Sequence, residues 1–533
     1  MQVALVSFNP RVGDVETNVE KMLTHIEAAA RQGCQLIVFP EMSLIGYPPK
    51  DLLFFDSLYA SQAQALIKLK RASKKITIVV GGFVKNSHTG APFHNVAFLL
   101  QNGQKEVYHK QLLPNYDVFD EQRYFEPGSA SLTFKMGRHK FGITICEDIW
   151  AKDPKLGKRY NQNPVEDYRD KNIDVLINIS ASPFEINKSH RREKLITQVA
   201  HDTKATVLYV NQSGANDDLI FDGALVAVNA QGTILLRSHS FNEELLICNL
   251  TEKQNSQTAL PHLSCMAEVA QALVTGIRDF FHKSGFQKAI LGLSGGIDSA
   301  LVAQLACIAL GPENVTGVML PSRYSSKDSL MDAQTLAQNL KMPTRLVPID
   351  ALHQIYESTL NAIFTPAPLN DITAQNVQAR IRGNLLMAIA NNTNSLLLNT
   401  TNKSEMAFGY GTLYGDMCGA LAVISDLTKN QVYALAKHLN PHFEFIPESS
   451  LTKAPSAELK PNQKDSDSLP EYPVLDQFIG EFIENFQTHP QNQKWQNTVM
   501  QNEHKRFQAP LGLKINEKAF GSGRRMPIVQ KMS

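Results

Sequence analysis

Short apolar runs alternate with longer amphipathic segments through the first half of the chain. The runs are rich in β-branched residues and carry little charge, which is typical of buried strands. After the first run, apolar residues recur at helical spacing between Val19 and Ala30. The alternation predicts an α/β sheet covered by helices. The predicted strands lie at 3–6, 35–39, 76–80, 140–145, 174–179 and 205–210.

The second half of the chain repeats a regular strand–helix order. Its strand-like runs lie at 289–293, 315–320, 345–348 and 395–399. Helical patterns lie between them at 299–310, 329–340 and 374–391. Because parallel strands need helical crossovers, this order predicts a doubly wound parallel sheet.

A polar stretch without periodicity, TEKQNSQTALPH, separates the two patterns. We interpret it as a linker and expect a first domain over 1–250, the linker over 251–262 and a second domain over 263–533. A length of 533 residues supports this division, since one hydrophobic core rarely serves so long a chain. A second polar stretch, 460–472, is predicted to be a surface loop.

Composition narrows the class of partner. Lys and Arg number 52 against 51 Asp and Glu, and this near-neutral balance argues against nucleic acid or an anionic membrane as the main partner. No apolar run is long enough for a membrane span, and the first residues have the pattern of a strand rather than of a targeting signal. The six cysteines are scattered without a CxxC pair, so we expect reduced thiols in the cytoplasm.

A glycine pair lies between a predicted strand and helix, in the segment LGLSGGIDSA. Backbone N–H groups at a helix start attract anions, and Gly295 and Gly296 would let the backbone approach a phosphate closely because they lack Cβ atoms. Ser294 and Ser299 could add hydroxyl donors, and Asp298 could hold Mg²⁺ on phosphate oxygens. The loop alone leaves a plain Gly-Gly turn as an open alternative.

The loop is not a Walker A motif, because no Lys-Ser/Thr pair follows the glycines. It resembles the SGGxDS pyrophosphate loop of the ATP pyrophosphatases, which cleave ATP to AMP and pyrophosphate and adenylate an oxygen. That resemblance implies ATP phosphate contacts from Gly292, Leu293, Ser294, Gly295, Gly296, Ile297, Asp298 and Ser299.

Three residues in the first half have the chemistry needed for amide hydrolysis. Glu41 lies in FPEMSLIGYPPKDLL, Lys110 in YHKQLLPNYDVFDEQRYF and Cys146 in FGITICEDIW. A thiolate attacks the amide carbon, a carboxylate moves the proton, and an ammonium stabilises the oxyanion. Taken singly, the cysteine could be a small core residue, the glutamate a helix cap and the lysine a surface charge.

Together these segments resemble the carbon–nitrogen hydrolase (nitrilase) superfamily. The resemblance implies a four-layer αββα sandwich and a catalytic triad of Glu41, Lys110 and Cys146, with Glu121 near the position of a further carboxylate.

Motifs over most of the chain extend the resemblance. The strings NISASPF and VNQSGANDDLIFDG follow the cysteine, and LPSRYSS, QNVQARIRGN, NTTNKSE, GYGTLYGDM, APSAELKPNQ, EHKRFQAPLGLK and FGSGRRMPI follow the glycine loop. This combination resembles the glutamine-dependent NAD⁺ synthetase family, and NTTNKSE followed by TLYGDM is its most diagnostic part. The resemblance implies an α/β chain with a nitrilase-like sandwich followed by a doubly wound ATP pyrophosphatase domain.

In the first domain, the resemblance implies that glutamine is bound by Tyr116, Ser182 and Lys188. Cys146 would then form a γ-glutamyl thioester and release ammonia. Asn187 departs from the family pattern, in which glycine is frequent before the lysine.

In the second domain, the resemblance implies that ATP adenylates the nicotinate carboxylate of deamido-NAD⁺ and that ammonia displaces AMP. Thr400 and Ser456 would contact ATP, and Asp298 and Glu405 would bind Mg²⁺. The residues near deamido-NAD⁺ would be Asn376, Glu405 and Lys514, with Lys429 near the dinucleotide or the phosphates. For Lys429 and Lys514, ordinary surface charge is the alternative.

Ammonia in neutral water would mostly be protonated and lost, so a covered passage between the two sites is a reasonable hypothesis. The resemblance also implies a homo-oligomer. Two other classes of enzyme are alternatives. A synthetase that amidates another adenylated acceptor would use a different glutaminase module, and an RNA thiolation enzyme would need a basic face and sulfur-handling cysteines. A scaffold with decayed sites conflicts with the intact Glu41, Lys110, Cys146 and SGGIDS.

Overall fold

The computed structural model describes residues 1–156, 159–250, 259–366, 369–461, 463–467 and 469–530. The chain divides into two compact units, Met1–Ser264 and Cys265–Ser533. Most of the predicted linker, 251–258, lies outside the described residues, and 259–262 belong to the first unit. The linker and the domain limits built on it stay predictions.

The first unit is built from β-strands with helices on the outside. Its strands are β1 (Gln2–Ser7), β2 (Leu36–Val38), β3 (Thr77–Lys85), β4 (Phe93–Gln101), β5 (Gln104–His109), β6 (Leu132–Met136), β7 (His139–Ile145), β8 (Val175–Ser180), β9 (Thr206–Asn211), β10 (Ser213–Asn216), β11 (Leu219–Asp222), β12 (Leu225–Val228), β13 (Ile234–Arg237) and β14 (Glu244–Asn249). Its helices are α1 (Val15–Arg31), α2 (Asp56–Ala72), α3 (Pro164–Asp170) and α4 (Lys188–Thr203).

Two six-stranded sheets face each other in the described part of this unit. Their strand orders are β14-β1-β2-β3-β4-β5 and β13-β12-β9-β8-β7-β6. Side chains alternate between the two faces of a strand. On β1, Val3 and Leu5 therefore enter the core between the sheets, while Ala4 and Val6 pack under the outer helices α1 and α2. Helices α3 and α4 cover the other sheet, so the predicted four-layer αββα sandwich is confirmed.

Helix α1 shows how the sequence sets this packing. The Asp14 carboxylate caps its start by accepting a hydrogen bond from the Thr17 N–H at 3.2 Å. Val19, Met22 and Ile26 then fall on one face, and all three are buried against the first sheet.

In the part of the second unit that the structure describes, the helices surround one parallel sheet. Its strands are β15 (Lys288–Gly292), β16 (Val315–Met319), β17 (Thr344–Leu346), β18 (Ser395–Asn399), β19 (Leu421–Ala422) and β20 (Leu511–Gly512). Its helices are α5 (Cys265–Ser284), α6 (Ile297–Leu310), α7 (Lys327–Leu340), α8 (Asp350–Phe364), α9 (Asp371–Thr393), α10 (Lys403–Phe408), α11 (Lys429–Leu439), α12 (Glu448–Thr452), α13 (Tyr472–Ile479), α14 (Gln493–Gln501) and α15 (Glu503–Arg506).

The strand order β17-β16-β15-β18-β19-β20 is that of a doubly wound sheet, and each neighbouring pair is parallel. The order reverses between β15 and β18. Ligands of such sheets bind at the carboxyl ends of the strands that flank the reversal. The SGGIDS loop follows β15 and NTTNKSE follows β18, so both motifs lie at that crevice. Within the described ranges, no helix combines the length and the apolar character needed to cross a bilayer.

Candidate active sites

The three predicted triad residues each follow a strand of the first unit. Glu41 comes after β2, Lys110 directly after β5 and Cys146 directly after β7. The Lys110 Nζ donates to Glu41 Oε1 at 2.7 Å and to Glu121 Oε1 at 2.8 Å. The side chains of Lys110 and Glu41 are both 0% exposed, so a solvated surface charge is excluded for the lysine.

Glu41 is fixed by groups from several elements. Its Oε1 also accepts from Asn95 Nδ2 at 2.7 Å, and its Oε2 accepts from the Ala181 N–H at 2.8 Å. These contacts hold both oxygens in one orientation inside the sandwich, which is not the geometry of a helix cap.

Cys146 sits at a strained point of the backbone. It opens the short turn Cys146–Ile149 with φ of 43°, in the left-handed region that residues with a Cβ rarely adopt. Burial, followed by the nearby Glu41 carboxylate, raises the pKa of the Cys146 thiol well above its ordinary value. The thiol therefore needs a base to become a nucleophile.

The lysine and the second carboxylate share a buried charge network. Burial lowers the pKa of Lys110, but Glu121 and Glu41 outweigh it and raise that pKa well above the ordinary value. Burial raises the pKa of Glu121 to about 7, against the opposing effect of Lys110. Tyr47 Oη donates to Glu121 Oε1 at 3.0 Å, while Glu121 Oε2 is buried without a hydrogen-bond partner among the described residues.

The predicted glutamine-binding residues lie on three segments of this unit. Tyr116 Oη donates to Glu147 Oε1 at 2.9 Å. The Ser182 N–H donates to Asn211 Oδ1 at 2.8 Å, one residue after the N–H that binds Glu41. Lys188 opens α4, and its Nζ donates to the Pro183 carbonyl at 2.9 Å.

Two local features were visible in the sequence only in part. Asn187 adopts φ of 66°, a left-handed conformation that glycine adopts freely and asparagine tolerates, so asparagine fits the backbone at the position where the family pattern predicts glycine. Sequence reasoning did not assign Glu147, although it directly follows Cys146. Tyr160 Oη donates to its Oε1 at 2.8 Å, burial raises its pKa, and Lys188 is close enough to act in the opposite direction.

In the second unit, the SGGIDS loop joins β15 to the start of α6. The Gly296 N–H donates to Ser294 Oγ at 3.2 Å, and Ser299 Oγ donates to the Gly296 carbonyl at 3.0 Å, which shapes the turn. Gly295 has φ of 81°, and a Cβ there would lie 2.1 Å from the Ser329 carbonyl oxygen. A glycine is therefore required at 295 for both conformation and space.

An open pocket of 340 Å³ lies above this loop. The predicted residues that line it are Gly292, Leu293, Ser294, Gly296, Ile297, Asp298, Ser299, Thr400, Glu405, Lys429 and Ser456. Three predicted residues are not among the described residues of its wall. Gly295 packs on Ser329, Asn376 Oδ1 accepts from Thr412 Oγ1 at 2.8 Å, and the buried Lys514 donates to the Asn516 carbonyl at 2.8 Å.

Two carboxylates and one ammonium meet on one side of this pocket. Lys429 Nζ lies 2.5 Å from Asp298 Oδ2 and 3.7 Å from Glu405 Oε1. Lys429 is buried, so ordinary surface charge is excluded for it as well. Burial, and then Asp298, raises the pKa of Glu405 to about 8. Asn402 Nδ2 holds the other Asp298 oxygen at 2.9 Å.

Sequence reasoning missed two further cations of the pocket wall, Arg382 and Lys453. Arg382 Nε donates to the Leu320 carbonyl at 3.0 Å, and burial lowers the pKa of this guanidinium. Lys453 Nζ donates to Ser329 Oγ at 2.7 Å. Their positions in the sequence could have indicated them, because Arg382 lies inside the motif QNVQARIRGN and Lys453 immediately precedes the motif APSAELKPNQ.

Two family models match the chain, one for each half. The carbon-nitrogen hydrolase family matches residues 2–259, and the NAD synthase family matches residues 269–509. Curated relatives match almost from end to end. A glutamine-dependent NAD(+) synthetase of Synechocystis sp. is 45% identical over 99% of this chain and 98% of its own length. One of Thermotoga maritima is 38% identical over 100% and 99%.

Solved structures agree with these matches. A glutamine-dependent NAD⁺ synthetase from Acinetobacter baumannii, solved in complex with ADP, is 36% identical with a TM-score of 0.79 over 99% of this chain and 98% of its own. One from Cytophaga hutchinsonii has a TM-score of 0.83 at 20% identity over 99% and 98%, which shows the shared fold. With both halves and the whole length matched, the chain belongs to the glutamine-dependent NAD⁺ synthetases, a family of ligases that hydrolyse glutamine to make NAD⁺.

Proposed function

We propose that the first unit hydrolyses the side-chain amide of glutamine through Cys146, Glu41 and Lys110. The observation that carries the proposal is the burial of Lys110 between two carboxylates beside the strained cysteine. The Cys146 sulfur attacks the amide carbon and gives its proton to Glu41. The Lys110 ammonium, kept charged by its carboxylate neighbours, stabilises the oxyanion that forms.

The amide C–N bond then breaks, and Glu41 returns the proton to the leaving nitrogen, so that ammonia departs and a γ-glutamyl thioester remains. Water attacks the thioester and Glu41 takes one of its protons. The C–S bond then breaks to give glutamate, and Glu41 returns the proton to the departing sulfur, which restores the free thiol. Tyr116, Ser182 and Lys188 would hold the amino-acid end of glutamine. Glu147 supports this arrangement, because its carboxylate joins Tyr116 and Tyr160 next to the nucleophile.

The second unit would consume ATP and deamido-NAD⁺. The nicotinate carboxylate attacks the α-phosphorus of ATP, the bond to the β-phosphate bridge breaks, and pyrophosphate leaves. Ammonia attacks the acyl carbon of the adenylate, the bond to AMP breaks, and a proton is lost as NAD⁺ forms. The SGGIDS turn at the start of α6 supports phosphate binding, because backbone N–H groups at a helix start favour anions. Thr400 and Ser456 would contact ATP, while Asn376 and Lys514 would act on deamido-NAD⁺ from outside the pocket wall.

The residues of this pocket fit Mg²⁺, with Asp298 and Glu405 as its protein ligands. No cluster of three or more His, Cys, Asp or Glu suited to a metal occurs within the described residues. Mg²⁺ on a nucleotide, however, commonly uses one or two carboxylates and takes its other ligands from phosphate and water. When bound, the cation would offset charge on the departing pyrophosphate. The raised pKa of Glu405 supports the fit, because the neighbouring charge of Asp298 opposes ionisation of Glu405 and a bound cation would offset both charges.

A homo-oligomer is supported by an apolar face on the second unit. Ile355 and Ile363 of α8 and Ile372 of α9 are 61%, 66% and 71% exposed. Residues 355 and 363 are about two helical turns apart, so they share one side of α8. Large apolar side chains exposed together mark interaction surfaces. The six free cysteines also support a reducing compartment, and we place the enzyme in the cytoplasm.

Separating the two nitrogen sources tests the assignment of the halves. With ATP, Mg²⁺ and deamido-NAD⁺, the Cys146→Ala variant should make NAD⁺ from ammonium and fail to make it from glutamine. Asp298→Asn should fail with both sources while glutamine still forms the thioester at Cys146, detected by mass spectrometry. Loss of both activities in Cys146→Ala, with its fold intact by circular dichroism, would contradict the division of labour.

Isotope labelling tests the transfer of nitrogen. Glutamine carrying ¹⁵N in its amide is supplied together with an excess of unlabelled ammonium, and the NAD⁺ formed is analysed by mass spectrometry. Enrichment in ¹⁵N above that of the mixed solution is expected if ammonia is passed on directly. A label that follows the solution ratio would remove the covered passage from the proposal.

A further inference from the structure

Asp148 is a buried carboxylate that the reaction described above does not use. It lies in the turn that begins at Cys146 and is 0% exposed. Both of its oxygens accept two hydrogen bonds. Oδ1 accepts from the N–H groups of Gln111 and Leu112 at 3.0 and 2.8 Å. Oδ2 accepts from the Ile145 N–H at 2.9 Å and from Tyr108 Oη at 2.8 Å.

These four donors lie on both sides of the triad. Gln111 and Leu112 directly follow Lys110, and Tyr108 precedes it by two residues on β5. Ile145 is the last residue of β7 and directly precedes the nucleophile. Strand β5 is the edge of the first sheet and β7 belongs to the second. A single side chain therefore joins the two sheets at the place where each delivers a triad residue.

We propose that Asp148 is a positioning residue, which sets the distance between Lys110 and Cys146 by clamping the backbone that carries each of them. This inference rests on the proposed function, in which both residues act on one amide. Lys110 must meet the oxyanion that Cys146 creates, and an error of about 1 Å in such an alignment can cost on the order of 100-fold in rate. Hydrogen bonds fix direction as well as distance, whereas burial of the apolar core between the sheets is non-directional.

The chemistry of the clamp requires a carboxylate rather than an amide. A carboxylate accepts hydrogen bonds at both oxygens. Three of the four donors are backbone N–H groups, which can only donate, and the fourth is the Tyr108 hydroxyl, which can donate or accept. In Asp148→Asn the amide oxygen can still accept from Gln111 and Leu112. The amide NH₂ then faces the Ile145 N–H, so two donors oppose each other beside Cys146. The substitution conserves shape and disturbs one end of the clamp selectively.

The test compares Asp148→Asn with the wild-type full chain. We expect kcat for glutamine-dependent NAD⁺ formation to fall about 10- to 100-fold. The KM for glutamine should change by less than about threefold, because Tyr116, Ser182 and Lys188 are untouched. The rate of NAD⁺ synthesis from ammonium, which does not use the first unit, is measured on each sample and normalises the two enzymes to the same amount of active second unit. The rate of Cys146 alkylation by iodoacetamide, followed by mass spectrometry of its peptide, should fall less than kcat, since alkylation forms no oxyanion for Lys110 to stabilise.

A matched control separates positioning from stability. Gln62 is a buried residue of α2 in the same unit that accepts from the Phe83 N–H at 3.0 Å and donates to the Phe83 carbonyl at 2.8 Å, and neither bond involves a triad residue. Gln62→Met should lower the melting temperature and leave kcat unchanged. If Asp148→Asn behaves in the same way, with a lower melting temperature and normal kcat, the clamp is only structural and the proposal is overturned.

Two further variants keep the result decisive. If Asp148→Asn does not fold, Tyr108→Phe removes one donor with little change of volume, and a drop in kcat of about threefold or more at constant KM is expected. Unchanged kcat in Tyr108→Phe would then refute the clamp. Cys146→Ala is measured in parallel, because glutamine use by that variant would refute the proposed triad itself, whereas its loss leaves the outcome at Asp148 as a test of the clamp alone.

Discussion

Replacing Gly295 by alanine should remove ATP-dependent activity through a defined steric conflict. The new Cβ would lie 2.1 Å from the carbonyl oxygen of Ser329 and 2.8 Å from its carbonyl carbon, which are backbone atoms at the start of α7. The φ of 81° adds the cost of a left-handed conformation, about 1–2 kcal/mol for a residue with a Cβ. Overpacking of this kind adds about 1–3 kcal/mol, so we expect a total of about 2–5 kcal/mol.

Most of this free energy should be lost from ATP-dependent catalysis rather than from folding, because we expect the clash to be relieved by movement of the SGGIDS turn away from Ser329. Its displacement takes the N–H groups off the phosphates. If the whole amount is lost from transition-state binding, kcat/KM for ATP falls between about 30-fold and a few thousandfold. The assay follows NAD⁺ formation from ammonium, ATP and deamido-NAD⁺, which removes the first unit from the measurement.

The chain supplies a control for the backbone cost alone. Gly285 has φ of 83°, and no described atom lies within 4 Å of the Cβ it would gain. Gly285→Ala should lose about 1–2 kcal/mol of folding free energy and keep its kcat/KM for ATP. If Gly295→Ala reduces kcat/KM no more than Gly285→Ala does, contact with Ser329 does not position the loop and the reasoning fails.

Three further outcomes follow from charge and exposure. Because the pKa of Glu405 is about 8, Mg²⁺ must displace a proton at lower pH, so its affinity in the presence of ATP should rise about tenfold from pH 6 to 7 and level off above 8. Calorimetric titration should find no such rise in Glu405→Gln. The pKa of about 7 at Glu121 predicts that glutaminase kcat rises with pH around 7 as this group ionises. If Glu121→Gln shows the same rise of kcat with pH, the rise does not come from Glu121. Lysine at both Ile355 and Ile363 should shift the sedimentation coefficient toward the monomer, and an unchanged assembly would move the interface elsewhere.

Fold class could be predicted because buried strands and covering helices leave strong periodic signals. The six strands predicted in the first half correspond to β1, β2, β3, β7, β8 and β9, most of them on parallel pairings buried on both sides. The edge strand β5 was missed because QKEVYH is largely exposed and charged, so it lacks an apolar run. The strands β10–β13 were missed because each has only four residues, too few for a clear alternating pattern. Strand β14 pairs with β1 at the other end of the unit, and no local pattern encodes such a pairing.

The sites show the same division between local and long-range information. Glu41, Lys110 and Cys146 were found from motifs, yet the contact between Lys110 and Glu41 spans 69 residues and had to be read from the fold. The predicted surface loop 460–472 was wrong at Asp465. This residue is buried and accepts from Tyr472 Oη at 2.8 Å, an ion–dipole contact that polarity alone cannot reveal. Arg382 and Lys453 were missed because a charged residue in a helix or loop looks the same whether it faces solvent or a pocket.

At Cys146 the backbone conformation favours a glycine, whereas the chemistry requires a cysteine. A glycine would adopt φ of 43° at little cost, but it carries no sulfur. The chain keeps the sulfur and accepts a conformation worth on the order of 1–3 kcal/mol, which the surrounding sandwich must supply. Heat tolerance and turnover therefore compete at one residue. A substitution that relaxes the backbone at Cys146 to raise thermal stability would remove the nucleophile, so stabilising substitutions have to be made elsewhere in the sandwich.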